Sequence, residues 1–579
     1  MTPILTPISL WKDFDDSQPL DATVGGEKIQ DGVKYEYVNF AGRKTDDGRV
    51  SVFGIFAYDA ETPSQDGVVI IPDSSETADE RLLKMFVDNG YSALMVDIRG
   101  DIGARNGASS AEGKGNEGTG ICGKFIPFTV YPPSVAYANY YSAGRHIDYA
   151  DEGADKTSWY EWVAVGLYAR NYLSERVKND KIGVVGIRDG GEVAWKLAYA
   201  GKFSCAIPVC AVGWRAYKGF SKFGTAEPEF DEERRRFMAA IDSQAYAPYV
   251  KCPVLMLCST NDPDFDYDRA YDTFSRINPE FAGQSVIAYS VKSNACIAQK
   301  STKDMFMFLD RYIKQRQVFI PKPAELTVTV DDNDNLIART AFDDAGVVEN
   351  FGLFMAEDCK NPTVRDWVRS RYKGKVSDTE HEFYLDVYNK TSVLFALCYV
   401  MYTNGFTVWS KITVKKISGT FRNSQSKCRV MYSSRNGIDC FSLADYGSYA
   451  VAGTFFENED IFPKMVSGNG LKGIYCVCGL STYRLNSPRY APSAGSLLKF
   501  DIFVDKDCTV ELSMTSVSDG TVYSLRISVI GGTWQSEVLE SKLFKSTGGM
   551  PLADYCVPSG LMFTIKCDER YALNNVMWL

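Results

Sequence analysis

The stretch from Lys181 to Ala198 restricts this chain to few folds. Lys181-Ile182-Gly183-Val184-Val185 is a short apolar run with strand character, and Glu192-Val193-Ala194-Trp195-Lys196-Leu197-Ala198 follows with a helix pattern. Only Gly186-Ile187-Arg188-Asp189-Gly190-Gly191 lies between them. Its glycines are those of a tight strand-to-helix turn at the end of a buried strand. The neighbouring sequence repeats the alternation. Asp66–Pro72, Tyr91–Asp97, Ser204–Cys210, Cys252–Cys258 and Val286–Ser290 are further short apolar strands. Arg81–Asn89, Trp159–Arg176 and Thr302–Gln315 carry helix patterns, the first closed by Gly90 and the second long and amphipathic. Val50–Phe56 alternates like an antiparallel strand. Apolar strands alternating with helices imply a mostly parallel sheet covered on both faces.

At 579 residues the chain is too long for one core. With 45% hydrophobic and 23% charged residues it has the composition of a soluble globular protein. A net charge of −10 argues against nucleic acid or an anionic membrane as partner. No apolar run reaches the ~20 residues that span a bilayer, and the start, Met1–Pro7, lacks the features of a signal peptide. The 15 cysteines show no metal-like spacing, Cys476-Val477-Cys478 is too tight for a zinc pair, and there are only two histidines. The expectation is therefore free thiols in a reducing cytoplasm, with no metal and no cofactor.

Two stretches read as insertions that cap the sheet: about 100–156, which is rich in Gly and Tyr, and 220–249. The Glu232-Glu233-Arg234-Arg235-Arg236 run within the second reads as a solvated helix face. The pattern changes at Val318-Phe319-Ile320-Pro321-Lys322-Pro323. Beyond it, Leu326–Val330, Phe383–Val387 and Val393–Tyr402 alternate as strands of a small immunoglobulin-like sandwich. From Ser418 onward, Leu497–Val504, Thr509–Met514 and Tyr523–Val529 suit a jelly roll. The expected division is 1–317, 318–417 and 418–579.

The turn at 186–191 sits where a Gly-x-Ser-x-Gly nucleophile elbow presents its serine. Residues from about 50 to 317 resemble the α/β-hydrolase superfamily. The acetyl-xylan-esterase and glucuronoyl-esterase-like group is the nearest flavour, on the Trp159–Leu173 helix, Asp180–Gly186 and the Gly190-Gly191 pair. That resemblance implies a serine, an acid and a late histidine that deacylate carbohydrate esters. Arg188 stands at the serine position, and a guanidinium cannot be deprotonated to attack a carbonyl. The loop expected to carry the histidine reads Val291-Lys292-Ser293-Asn294-Ala295-Cys296. Asp262 fits the acid position, or belongs to a plain Asp-rich turn. Shifting the frame to use Asp189 as an aspartyl nucleophile puts Ile187 where a small residue is needed. His146 lies in the first cap and His381 in the immunoglobulin-like segment, so neither has the chain order of a base.

Two readings of Arg188 remain open: a plug that pairs with Asp262 or Asp189, or, at a helix N-terminus, a site for a carboxylate or phosphate. In the last region Phe500–Phe503, Gly531–Trp534, Leu543–Lys545 and Asn574–Leu579 resemble galactose-binding-like modules that bind carbohydrate. Trp534, Tyr483 and Tyr490 are candidate stacking platforms there. The expected protein is thus a degenerate hydrolase that binds or scaffolds, holding a saccharide, an anion, a protein partner or further copies of itself. Arg188, Asp189, Asp262, His146 and Trp534 are the candidate ligand-binding residues. The alternatives are an active carbohydrate esterase with an unusual constellation and a purely structural assembly protein.

Overall fold

The computed structural model describes residues 4–101, 125–177, 179–445 and 449–579, and these divide into two compact units. The first comprises residues up to Cys258, Asp264–Tyr289 and Lys300–Ile320; the second comprises Ser259–Pro263, Ser290–Gln299 and everything from Pro321. Residues 102–124 of the expected first cap lie outside the described residues.

The first unit is built on nine strands: β1 (Thr23–Gln30), β2 (Val33–Thr45), β3 (Gly48–Asp59), β4 (Gly67–Ile71), β5 (Ser92–Val96), β6 (Ile182–Ile187), β7 (Cys205–Val209), β8 (Leu255–Ser259) and β9 (Val286–Ser290). Their spatial order is β1-β2-β3-β5-β4-β6-β7-β8-β9. β1 to β3 form an antiparallel meander, β3 pairs antiparallel with β5, and the pairs β5–β4, β4–β6, β6–β7 and β7–β8 are parallel. Every residue of β4 to β9 is buried. That is why these strands read as unbroken apolar runs rather than alternating ones. The chain crosses from β4 to β5 through the helix Glu80–Asp88, whose N-cap Asp79 accepts the Arg81 and Leu82 N–H groups.

Two expectations change. The helix Ser158–Val177 is not amphipathic, because residues all round it are buried, Trp159, Trp162 and Tyr172 among them. It packs against β2 and β4 and also against the helix Asp189–Ala200. The charge run on the helix Glu232–Ala240 is not wholly solvated either. Arg236 is buried, and its guanidinium donates to the carbonyls of Ala150 (2.9 Å) and Asp151 (2.7 Å). Among the described residues no helix is long and apolar enough to cross a membrane.

The sheets of the second unit beyond Pro321 are antiparallel throughout. A four-stranded and a five-stranded sheet are built from strands between Glu325 and Lys416. A six-stranded and a further five-stranded sheet are built from strands between Val430 and Trp578. In the strand Leu498–Val504 the side chains of Leu498, Phe500 and Ile502 point inward; in Cys508–Ser516 those of Val510, Leu512 and Met514 do so. This period-two burial packs one face of each sheet. His381 is buried among Phe342, Phe351 and the Tyr372 hydroxyl. Burial holds its pKa below the usual histidine value.

Candidate functional site

β6 ends at Ile187 and the helix begins at Asp189, so Arg188 alone makes the turn. It does so at φ 54°, ψ −113°, a conformation that costs a non-glycine residue ~1–3 kcal/mol. Hydrogen bonds pin it: its N–H donates to Val209 O (2.8 Å) and its carbonyl accepts Glu192 N–H (3.0 Å). The glycines are set by space. A Cβ on Gly186 would lie 1.9 Å from the Gly190 carbonyl oxygen, and one on Gly190 would lie 2.1 Å from that of Ile71. One on Gly191 would meet the Ala211 Cβ at 2.6 Å. The backbone is that of a nucleophile elbow, carrying an arginine.

The side chain of Arg188 reaches two carboxylates. Its Nε is 3.5 Å from Asp73 Oδ2, and its Nη2 donates to Asp264 Oδ2. Asp73 follows β4, in the loop that supplies one of the two N–H donors of an oxyanion hole on this fold; the residue after the nucleophile supplies the other. Here the N–H after Arg188 and one N–H of that loop are engaged within the chain. Ser74 N–H (3.0 Å) and Asp189 N–H (3.3 Å) donate to Asp73 Oδ1, and Ser75 Oγ donates to Oδ2 (2.9 Å). Burial and the charge of Asp189 raise the Asp73 carboxyl above its ordinary pKa, against the pull of Arg188.

Asp189 has its own cation. Its Oδ1 accepts from Arg215 Nη1 (2.5 Å) and its Oδ2 from Ser74 Oγ (2.5 Å). Arg215 Nε also lies 3.7 Å from Asp148 Oδ1, and its guanidinium packs over the rings of Trp159 and Phe265. Burial opposes the charge of Arg215, but Asp189, Asp148, Glu192 and Asp242 outweigh it and hold the arginine protonated. Asp73, Asp148, Arg188, Asp189, Arg215, Asp264 and Phe265 line a cavity of ≈ 580 Å³ together with Tyr140, Tyr141, Gly144, Ile147 and Lys218.

A second layer of buried charge supports the loop that carries Arg215. Asp242 accepts the N–H groups of Arg215 (3.1 Å) and Ala216 (3.3 Å). Glu192 accepts from Gly213 N–H (2.8 Å) and from Ser243 Oγ. Lys196, on the same helix, donates to Glu192 O (2.9 Å) and lies over Trp159 and Tyr246. Burial pulls Lys196 down to about 8 despite Glu192, and burial with Glu192 pushes Asp242 up to about 6.

Of the residues expected from sequence, Arg188 and Asp189 line this cavity, and the partners found for Arg188 are Asp73 and Asp264. Asp262 and Asn294 belong to segments of the second unit. There Thr363 Oγ1 donates to the Asp262 carbonyl (3.2 Å), while Asn261 Nδ2 donates to the carbonyls of Thr363 (3.1 Å) and Arg365 (3.0 Å). The segment containing Asn294 is held by Ile297 N–H to Thr454 O (2.7 Å). His146 is half-buried and stacks on Tyr137 at 4.9 Å. Trp534 is also half-buried, with its Nε1 donating to Gly468 O (2.8 Å) and its ring against Phe503. Tyr483 is buried, and the guanidinium groups of Arg484 and Arg489 lie 4.7 and 5.2 Å from the Tyr490 ring. Asp73, Asp264 and Arg215 were missed. The available signal was positional, since Asp73 and Arg215 follow the carboxyl ends of β4 and β7, where sheets of this kind bind ligands.

No family model matches the chain, and no curated protein matches it. Similar solved structures include acetyl xylan esterase 1 from Thermoanaerobacterium sp., which is 14% identical over 53% of this chain and 91% of its own, with a TM-score of 0.36. An acetyl xylan esterase from Paenibacillus sp. R4 is 16% identical over 53% of this chain and 92% of its own, with a TM-score of 0.36. A cold-adapted esterase from an Arctic intertidal metagenomic library is 13% identical over 50% of this chain and 98% of its own, with a TM-score of 0.31. The fold is defined by strand order rather than by these likenesses. The nine-stranded sheet with its helices fits an α/β-hydrolase, and the antiparallel sheets after it are consistent with β-sandwich domains. Among the described residues no group of three or more His, Cys, Asp or Glu could hold a metal ion.

Proposed function

We propose that this chain is a non-hydrolytic protein on an α/β-hydrolase scaffold, and that its elbow cavity binds a neutral, hydroxyl-rich ligand of saccharide type. The observation that carries this reading is the Asp73 carboxylate, which accepts both Asp189 N–H and Ser74 N–H. A carbonyl undergoing attack needs those donors free. Arg188 supplies no nucleophile, and its charge is spent on Asp73 and Asp264.

The charge pairing also selects the ligand. Both guanidinium groups face carboxylates already, and Asp73, Asp148, Asp189 and Asp264 outnumber Arg188, Arg215 and Lys218 in the lining. A free anion gains little from such a surface. Hydroxyl groups donate and accept, so they match carboxylate oxygens beside guanidinium N–H groups. The aromatic rings of Tyr140, Tyr141 and Phe265 add apolar faces. A volume of ≈ 580 Å³ lies within the ~300–1,000 Å³ of small-molecule sites. In this reading residues 1–317 hold the ligand, and the sandwiches 318–417 and 418–579 serve as spacer and presentation surface.

The test is titration of the full chain with neutral oligosaccharides and, in parallel, with acetate and phosphate. Saturable saccharide binding weakened about tenfold or more by Tyr141→Ala supports the proposal. Tighter binding of the simple anions overturns the ligand class, and ester turnover that requires Asp189 overturns the non-hydrolytic reading.

A further inference from the structure

Two thiols touch in the second unit, far along the chain from the elbow. The sulfur atoms of Cys508 and Cys567 are 3.4 Å apart although 59 positions separate the residues, and both side chains are half-buried. The strand Leu498–Val504 lies in the six-stranded sheet and Cys508–Ser516 in the five-stranded one, so residues 505–507 carry the chain from one sheet to the other. Leu561–Lys566 lies in the five-stranded sheet and Tyr571–Trp578 in the six-stranded one, so residues 567–570 carry it back.

These crossings run side by side. Asp505 N–H donates to Arg570 O (3.2 Å), the Arg570 guanidinium reaches the Asp505 carboxylate (3.3 Å), and Lys506 Nζ lies 4.0 Å from Glu569. The antiparallel register of Cys508–Ser516 with Leu561–Lys566, in which Glu511 faces Lys566, fixes both cysteines at the same end of the sandwich. Two sulfurs already in contact at one end of a paired register have a short path to the ~2.05 Å of a covalent bond.

We infer that Cys508 and Cys567 are a disulfide-forming modification site that staples the two sheet crossings together, taking its oxidising equivalents from a low-molecular-weight disulfide such as oxidised glutathione. Cys508, as thiolate, attacks one sulfur of oxidised glutathione, breaks its S–S bond and releases one glutathione thiolate. Cys567 then gives up its proton to solvent and attacks the Cys508 sulfur, releasing the second glutathione. Two protein thiols lose two electrons and two protons, and one glutathione disulfide becomes two glutathione thiols. Burial and the Cys508 neighbour push Cys567 up to about 12, which makes it the poorer first nucleophile. The closed loop restricts the unfolded chain, so the oxidised protein unfolds at a higher temperature. The site does not involve the elbow cavity, so it stands apart from the proposed function.

The experiment incubates the folded full chain with excess oxidised glutathione, blocks free thiols with N-ethylmaleimide in denaturant, and maps peptides without reduction. The expected results are one peptide pair linked through Cys508 and Cys567, two fewer alkylated thiols than in the reduced protein, and a Tm increase that dithiothreitol reverses. Cys508→Ser removes the link and the Tm increase. Should that variant fail to fold, the wild-type peptide map and its dithiothreitol control decide the matter alone. Separate glutathione adducts on the two cysteines with no link, or full alkylation of both, overturns the inference.

Discussion

The elbow at Gly186–Gly191 and the two segments that follow β8 and β9 occupy the three positions from which a hydrolase on this sheet works, and they differ in what they keep. The elbow keeps the backbone: a positive φ at Arg188, and glycines whose missing Cβ atoms would strike main chain at 1.9 and 2.1 Å. Segments 259–263 and 290–299 present no acid–histidine pair, and hydrogen-bond instead with Thr363, Arg365 and Thr454 in the second unit. Main-chain geometry is enforced by packing that tolerates no substitute. Side chains at the mouth of the cavity are under no such constraint, and here the elbow backbone carries Arg188.

The sharpest way to break this comparison is to add one methyl group. Gly190→Ala should destabilise the chain by roughly 3 kcal/mol or more, or stop it folding, because backbone rather than a movable side chain is in the way. A urea midpoint close to wild type would contradict the packing argument. Arg215→Ala comes next. It strips Asp189 of its cation where side chains are only 10% and 12% exposed, and should cost on the order of 3 kcal/mol. Asp189→Asn combined with Arg215→Ala should recover part of that loss.

The buried charges behind the elbow predict pH dependence. Asp242 holds its proton to about pH 6 in the folded chain against 3.8 as a free side chain, so the native state binds more protons between these values. Its contribution therefore falls as pH rises from about 4 to 6. Lys196 titrates near 8 when folded and at 10.5 when free, so the unfolded chain binds more protons in that window. Stability should gain from this group as pH rises from 8 to 10.5, with a slope approaching 1.4 kcal/mol per pH unit. Lys196→Met should remove that component in chemical denaturation across the window. The smallest effect belongs to the exposed end of the network. Arg188→Ser loses pairs in which the arginine is 25% exposed and its partners Asp73 and Asp264 are 15% and 36% exposed, and should change stability by about 1 kcal/mol or less.

Much of the sheet was legible because burial on both faces writes a simple pattern. Val68-Val69-Ile70-Ile71, Leu94-Met95-Val96 and Leu255-Met256-Leu257 admit one reading. The helix Ser158–Val177 was harder: polar Glu161 sits among its buried residues because Arg43 reaches it from β2, a pairing distant in sequence. At the site, Arg188 was legible as an anomaly, while its partners were not. Asp264, whose carboxylate meets Arg188, stands two residues beyond Asp262 in the same Asp-rich loop, and sequence alone does not say which of the two turns toward the arginine. Asp73 looks like any residue after a strand, and its role rests on two N–H groups whose directions no sequence pattern records.

The most direct test of the central claim is hydrolysis of p-nitrophenyl acetate by the full chain at high protein concentration, run beside Asp73→Gly, Arg188→Ser and Asp189→Asn. The account predicts release at the rate of buffer for the wild type and for all three variants. Freeing the oxyanion donors or restoring a hydroxyl still leaves no histidine in the segment after β9 to use them. Turnover by the wild type that Asp189→Asn abolishes would contradict it.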